Sequence, residues 1–206
     1  MVEDIDKFVS ECNLCAINKR PHHAIRAPLQ PIPVGAEPWE TVGMDIVGPL
    51  PRTANGNQHI LVVCDYLSKF PVAIALKNQT ASTVAKAFVN NVVCQYGCPK
   101  HIITDRGTNF TSKVMQELFE YLGIKQKLTT SYHPMCNGLT ERFNGTLIQM
   151  IRTCSENSQN KWDSVLPRVL LAYRSAPHSS TKVSPYKMLY GRGATAIRSN
   201  SSAPKP

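Results

Sequence analysis

Apolar residues recur along this chain in two rhythms. Three runs rich in Val, Ile and Leu, at 41–47, 59–64 and 70–76, read as strands. Asn55-Gly56 lies between the first two and supplies the positive-φ residues a hairpin turn prefers. Helical spacing then takes over. Thr80 or Ser82 can cap a helix with apolar positions Val84, Phe88, Val89 and Val92, ending before Gly97 and Pro99. A short strand at 102–104 precedes a helix from Ser112, with Val114, Met115, Leu118, Phe119 and Leu122 turned inward and Gly123 as its stop. Residues 124–128 form a further strand, which Lys125, Gln126 and Lys127 mark as an edge.

Beyond a loop at 131–138, a long helix carries the stripe Phe143, Leu147, Met150, Ile151 and Cys154. At 100° per residue Glu141 lies opposite that stripe, near the helix start. A helix over 161–176 places Trp162, Val165, Leu166, Val169 and Tyr173 on one face, with Pro167 able to bend it. Ser184-Pro185 begins a short last helix that Gly191 closes. Three strands, helix, strand, helix, strand and then helices predict an α/β fold, a mixed sheet flanked by helices. At the ends, residues 3–17 carry Ile5, Phe8, Val9 and Cys12 at helical spacing, and prolines 21, 28, 31, 33 and 38 mark a linker. The resulting division is a partial segment 1–25, a linker 26–38, a core 39–192 and a disordered Ser/Ala/Pro-rich tail 193–206.

Charge narrows the partners. Lys and Arg outnumber Asp and Glu by 23 to 14, and the net charge of +9 favours a polyanion. Seven cysteines, one of them Cys64 inside an apolar run, argue against a disulfide framework. Asn-x-Ser/Thr triplets stand at Asn78, Asn109, Asn144 and Asn200, but Asn144 falls within a predicted helix. With no signal peptide and no long apolar run, the expectation is an intracellular, reducing setting without a membrane.

Three acids carry the candidate chemistry. Along the first strand Val42, Met44 and Ile46 share one face, so Asp45 projects from the other. Asp105 ends the strand expected beside it, and Glu141 opens the long helix. Carboxylates on three separate elements can converge on a pair of Mg²⁺ ions, which take hard oxygen ligands and serve phosphodiester chemistry. Taken singly, the same acids read as solvated surface, a turn cap and a first-turn acid suited to the helix dipole. Asp65 reads as a cap of the turn into Ser68-Lys69.

Residues 38–192 resemble the catalytic core of retroviral-type integrases, nearest those of gypsy-type LTR retrotransposons. The resemblance rests on Trp39-Glu40, Met44-Asp45-Ile46 with Gly48-Pro49-Leu50, Ile103-Thr104-Asp105-Arg106-Gly107, His133-Pro134, and Asn137-Gly138 with Glu141-Arg142-Phe143-Asn144. It continues through His178-Ser179-Ser180-Thr181, Ser184-Pro185 and Leu189-Tyr190-Gly191. It implies an RNase H-like fold, with Mg²⁺ or Mn²⁺ held by Asp45, Asp105 and Glu141. The implied activity is DNA 3′-end processing and strand transfer by a polynucleotidyl transferase and endonuclease. The implied partners are element-end and target DNA, together with further copies of the chain, in the nucleus. Tyr132, His133 and Asn137, on the loop before Glu141, and Lys125, Lys127 and Arg142 are the candidate DNA contacts, while Met135-Cys136 departs from the family's usual polar residues. Cys12-Asn-Leu-Cys15 resembles the second half of the His-His-Cys-Cys zinc module that precedes such cores. His22 and His23 are the candidates to complete a Zn²⁺ site there, the other reading being a metal-free helix end. The expectation at this point is a truncated chain, without the upstream histidines and without the β-barrel that usually follows the core. That leaves two competing readings: a non-catalytic nucleic-acid-binding fragment or captured host copy of an integrase, and a ribonuclease of the same fold, which the Glu141 helix motif disfavours.

Overall fold

A computed structural model of the chain describes residues 35–129, 138–155 and 159–195. These lie in the second of the chain's two units, Val34–Pro206. The expected helix at 3–17, Cys12, Cys15, His22 and His23, and Tyr132, His133 and Asn137 fall outside the described residues.

Five strands form one sheet: β1 (Thr41–Val47), β2 (His59–Asp65), β3 (Pro71–Leu76), β4 (His101–Thr104) and β5 (Lys125–Leu128). Their order is β3-β2-β1-β4-β5, antiparallel across β3, β2 and β1 and parallel across β1, β4 and β5. This is the mixed sheet the element order predicted. The β1–β2 connection includes the expected turn, where Gly56 takes φ 81° and donates its N–H to the Thr53 carbonyl at 2.9 Å. β5 is an edge, as its lysines foretold.

Helices cover both faces because β2 is apolar on both. From Ile60 to Asp65 every residue is buried, so the period-2 alternation that marks a half-exposed strand is missing. On one face Val42, Met44, Leu61 and Val63 pack with helix α1 (Ala81–Phe88) and, beyond a four-residue helix α2 (Thr108–Thr111), with α3 (Lys113–Tyr121) through Met115 and Phe119. On the other, Ile60, Val62 and Cys64 meet α4 (Gly138–Cys154) and α5 (Trp162–Ser175) through Phe143, Leu147, Ile151, Trp162 and Val169. A last helix, α6 (Pro185–Tyr190), starts with the Ser184 hydroxyl capping the Lys187 N–H and ends at Gly191 in the left-handed region, φ 71°.

Several local expectations change. Ser112 does cap α3, accepting from the Met115 N–H, but Val114 is 48% exposed because Met115 and Phe119 hold the core-facing line and Val114 is rotated 100° away. Cys154 is exposed, since α4 outruns the layer that Ile151 closes. Leu170 joins the α5 face alongside the expected residues. After Phe88 the helix widens to a π-turn over Val89–Val93, and the Asn91 side chain donates to the Ala87 carbonyl at 2.9 Å.

One carboxylate pins α5 to the β1–β2 connection. A single oxygen of Asp163 accepts from Thr53 Oγ1 at 2.8 Å, Asn57 Nδ2 at 2.9 Å and Asn55 Nδ2 at 3.0 Å, while the neighbouring Trp162 indole donates to the Pro51 carbonyl at 2.8 Å. Burial alone would raise the Asp163 pKa, but the donors Asn55, Asn57 and Thr53 outweigh it and the net shift is downward. A lowered carboxylate pKa adds stability that is present above the unfolded value of about 4 and lost as pH falls through the folded value. Asp163→Ala is expected to lose about 1–3 kcal/mol at pH 7 in urea unfolding. The difference from wild type should shrink below pH ~4.

Candidate active site

The candidate site is set by the strand register. β1 and β4 run parallel with Gly43 opposite Ile103, and extending the pairing two residues brings Asp45 level with Asp105 at the same end of both strands. In a parallel sheet the C-terminal strand ends open onto loops, and Asp105 is exposed there. Asp45 instead lies on the face shared with Ile60, Val62 and α4 and is only partly exposed.

Each acid is oriented by its own neighbours. Asp45 Oδ1 accepts from the Ile46 N–H at 2.8 Å, and Oδ2 accepts from Asn144 Nδ2 on α4 at 2.7 Å. Asp105 Oδ1 accepts from the Gly107 N–H at 2.9 Å. The approach is close: a Cβ at 107 would stand 3.0 Å from Asp105 Oδ1 and 2.7 Å from Asn109 Oδ1, so those two side chains would have to shift to admit one. Glu141 lies in the first turn of α4 with its side chain exposed, away from the buried line Phe143, Leu147 and Ile151.

The three acids repel through the site. The Asp45 pKa rises from its ordinary value to about 6, chiefly because burial disfavours the charge, with added repulsion from Asp105 and, more weakly, from Glu141. The Ile46 N–H and Asn144 pull the other way without cancelling the rise. The fold thus brings the three acids within electrostatic reach. Among the described residues, no three of His, Cys, Asp and Glu are placed so that they could together hold a metal ion. What the site offers a hard divalent cation is carboxylate oxygen and uncompensated negative charge, and that donor chemistry fits Mg²⁺ or Mn²⁺.

Asn144 stands in the Glu141-Arg142-Phe143-Asn144 motif but carries no site role in the sequence. The available signal was its position three residues after Glu141, which puts both near one side of α4. Its Oδ1 is buried and unpartnered among the described residues. Lys125 and Lys127 are exposed on β5, two strands from β1, while Gln126 between them turns inward to Thr104 Oγ1. Arg142 is exposed on α4, its Nε donating to the Gly138 carbonyl at 2.8 Å. Asp65 is fully buried and accepts from the Trp39, Leu67 and Ser68 N–H groups and the Ser68 hydroxyl, the turn-capping role expected of it, with Trp39 an added donor. The proposed ligands of a zinc site, Cys12 and Cys15, and the loop contacts Tyr132, His133 and Asn137 lie outside the described residues.

Residues 35–134 match the family described as integrase core domain. The Tf2-3 and Tf2-4 transposon polyproteins of Schizosaccharomyces pombe (strain 972) are each 32% identical over 189 residues, covering 91% of this chain and 14% of the relative. The chain therefore spans about one seventh of those curated relatives. Among solved structures, a chain of the simian T-cell lymphotropic virus intasome in complex with a PP2A regulatory subunit superposes with a TM-score of 0.72 at 22% identity, over 98% of this chain and 73% of that one. The HTLV-2 integrase catalytic core domain in complex with magnesium, in a trimeric form, gives 0.62 at 20% identity over 76% and 99%. The catalytic core domain of BIV integrase gives 0.59 at 21% over 73% and 93%. The shared fold is the RNase H-like mixed sheet flanked by helices.

The raised pKa of Asp45 carries a stability signature. Between about pH 4, where the unfolded carboxyl ionises, and about pH 6, the folded chain holds a proton that the unfolded chain has lost. Stability from this group therefore falls as pH rises through that window, and its full cost is present above it. With metal chelated, Asp45→Asn is expected to raise Tm by roughly 2–4 °C at pH 7.5. Calorimetry should show the gain disappearing below pH ~4, where Asp45 is protonated in both states.

Proposed function

Since this chain belongs to the integrase core family of retroviruses and retrotransposons, we propose that it processes the 3′ ends of element DNA and joins them to target DNA. The reading is supported above all by the electrostatic coupling of Asp45 to Asp105 and Glu141, acids from two strands and a helix gathered at one end of the parallel pair.

In this proposal Asp45, Asp105 and Glu141 hold Mg²⁺ or Mn²⁺. Bound there, the ions supply an activated water or 3′-hydroxyl and neutralise charge on the leaving oxygen. The chain's own residues position the carboxylates. Asn144 and the Ile46 N–H fix the two oxygens of Asp45, and the Gly107 N–H fixes one oxygen of Asp105. Glu141, on a longer side chain at the exposed start of α4, completes the set from the helix side. The basic composition attracts both DNA substrates, and the exposed Lys125, Lys127 and Arg142 are proposed as phosphate contacts.

Integration joins a pair of DNA ends to one target, so the active form is proposed to be a homo-oligomer working in the nucleus. One structural neighbour is an intasome and another a trimeric form. The proposal is tested with the full chain, Mn²⁺ and a labelled element-end duplex. Wild type should yield processed and strand-transfer products, and Glu141→Gln should reduce them at least about 100-fold. Products absent from wild type, or equal in both proteins, would overturn the enzymatic reading. Retained duplex binding without products would favour a non-catalytic nucleic-acid-binding role.

A further inference from the structure

One side chain on the edge strand β5 reaches into the turn that carries Asp105. The strand reads Lys-Gln-Lys-Leu, with Lys125, Lys127 and Leu128 exposed and Gln126 turned inward. Gln126 stands opposite Ile102 in the parallel register, and Thr104 lies two residues further along β4 on the same face. A glutamine is long enough to span that offset. Its Nε2 donates to Thr104 Oγ1 at 2.9 Å and to the Phe110 carbonyl at 3.2 Å, which uses both amide protons. A carbonyl oxygen only accepts, so the Phe110 contact fixes which way round the amide stands.

These two bonds close a circuit around the turn. Thr104 is fully buried; its hydroxyl accepts from Gln126 and donates its own proton to the Asp105 carbonyl at 2.9 Å. At the far end, the N–H of the buried Phe110 donates to the Gly107 carbonyl at 2.9 Å, and the Gly107 N–H donates to Asp105 Oδ1 at 2.9 Å. One amide therefore holds both ends of the turn: the backbone of Asp105 through Thr104, and the segment that orients the Asp105 carboxylate through Phe110. A further tie, from Arg106 Nε to the Thr129 carbonyl at 3.3 Å, is longer and exposed to competing water, so the buried amide carries more of the constraint.

We propose that Gln126 is a positioning residue for Asp105, setting where its carboxylate stands relative to Asp45. The inference rests on the metal-dependent DNA-processing reading and deepens it by naming what orients the second acid. The two acids are braced from opposite faces of the sheet. Asp45 is held by Asn144 of α4, whereas Gln126 and Thr104 lie on the face of Val42 and Ile102. Neither Gln126 nor Thr104 touches the reacting groups, so both act through the backbone of the turn. A site shared between carboxylates of two strands tolerates displacements of only about 0.5 Å, which makes the geometry of that turn a condition of the proposed chemistry.

The test uses two variants of the full chain and two readouts. Gln126→Met keeps the length of the side chain and removes both donors, and Gln126→Glu keeps its shape and replaces the donors with acceptors. Amide hydrogen exchange followed by NMR, without metal or DNA, is expected to quicken roughly three- to tenfold at Gly107 and Phe110 in both variants and to stay at the wild-type rate at Val62 and Leu147. Mn²⁺ binding, read from the loss of the free-ion EPR signal, is expected to weaken about tenfold. Gln116→Met, which removes an exposed amide bond to the Thr111 carbonyl, should leave Gly107 exchange and Mn²⁺ binding unchanged. Melting curves confirm that each variant is folded. Wild-type exchange at Gly107 and Phe110 in folded Gln126→Met and Gln126→Glu would overturn the proposal. Faster exchange with wild-type Mn²⁺ affinity would overturn it as well, since the amide would then brace the turn without positioning the carboxylate. Wild type that binds Mn²⁺ but makes no products sinks the enzymatic reading alone, and the two readouts still decide on Gln126.

Discussion

Everything at the candidate site depends on β1 pairing antiparallel with β2 on one side and parallel with β4 on the other. An antiparallel β4 would run the other way, and Asp105 would then close the strand at the end remote from Asp45. Parallel pairing demands a crossover, and the helical run from 81 to 96 supplies it across one face of the sheet. That same crossover buries Val42 and Met44 from one side, which leaves the opposite face of β1, bearing Asp45, to α4. Topology thus both places the acid and determines what covers it.

Three aspartates show how differently this chain treats a carboxylate. Asp65 is completely buried yet surrounded by donors, and it ties Trp39, two residues before β1, to the end of β2. Asp163 gathers three side-chain donors on one oxygen and is held below its ordinary pKa. Asp45 has two donors, a partly apolar setting and two like charges in reach, and it is pushed up to about 6. The first two are solved electrostatic problems that serve the fold. The third keeps burial and like charge against it among the described residues, and a perturbed ionisable group of this kind is a candidate for a functional site.

Much of the architecture was legible in short-range patterning. The apolar runs located β1, β2 and β3 within a residue, the Ser112 and Ser184 caps began the helices they announced, and Gly191 closed α6 in the left-handed conformation expected of it. The errors fell where periodicity does not say how far a layer extends. Val114 and Cys154 satisfy an apolar spacing, but each sits just past the surface its helix presents to the sheet. Asn144 was visible as part of the Glu141 motif, but its role was not, because that role is a contact 99 residues away, with Asp45.

Local chemistry was therefore enough to name the acids, the strands and the helix that carry them, because strand and helix periods and turn residues are properties of neighbouring positions. The level placement of Asp45 and Asp105, the desolvation that lifts Asp45 and its hold by Asn144 came from packing. Each of these depends on distances between segments far apart in the chain. Those distances are set by which strands pair and which helices cover them, and no local window of residues encodes that.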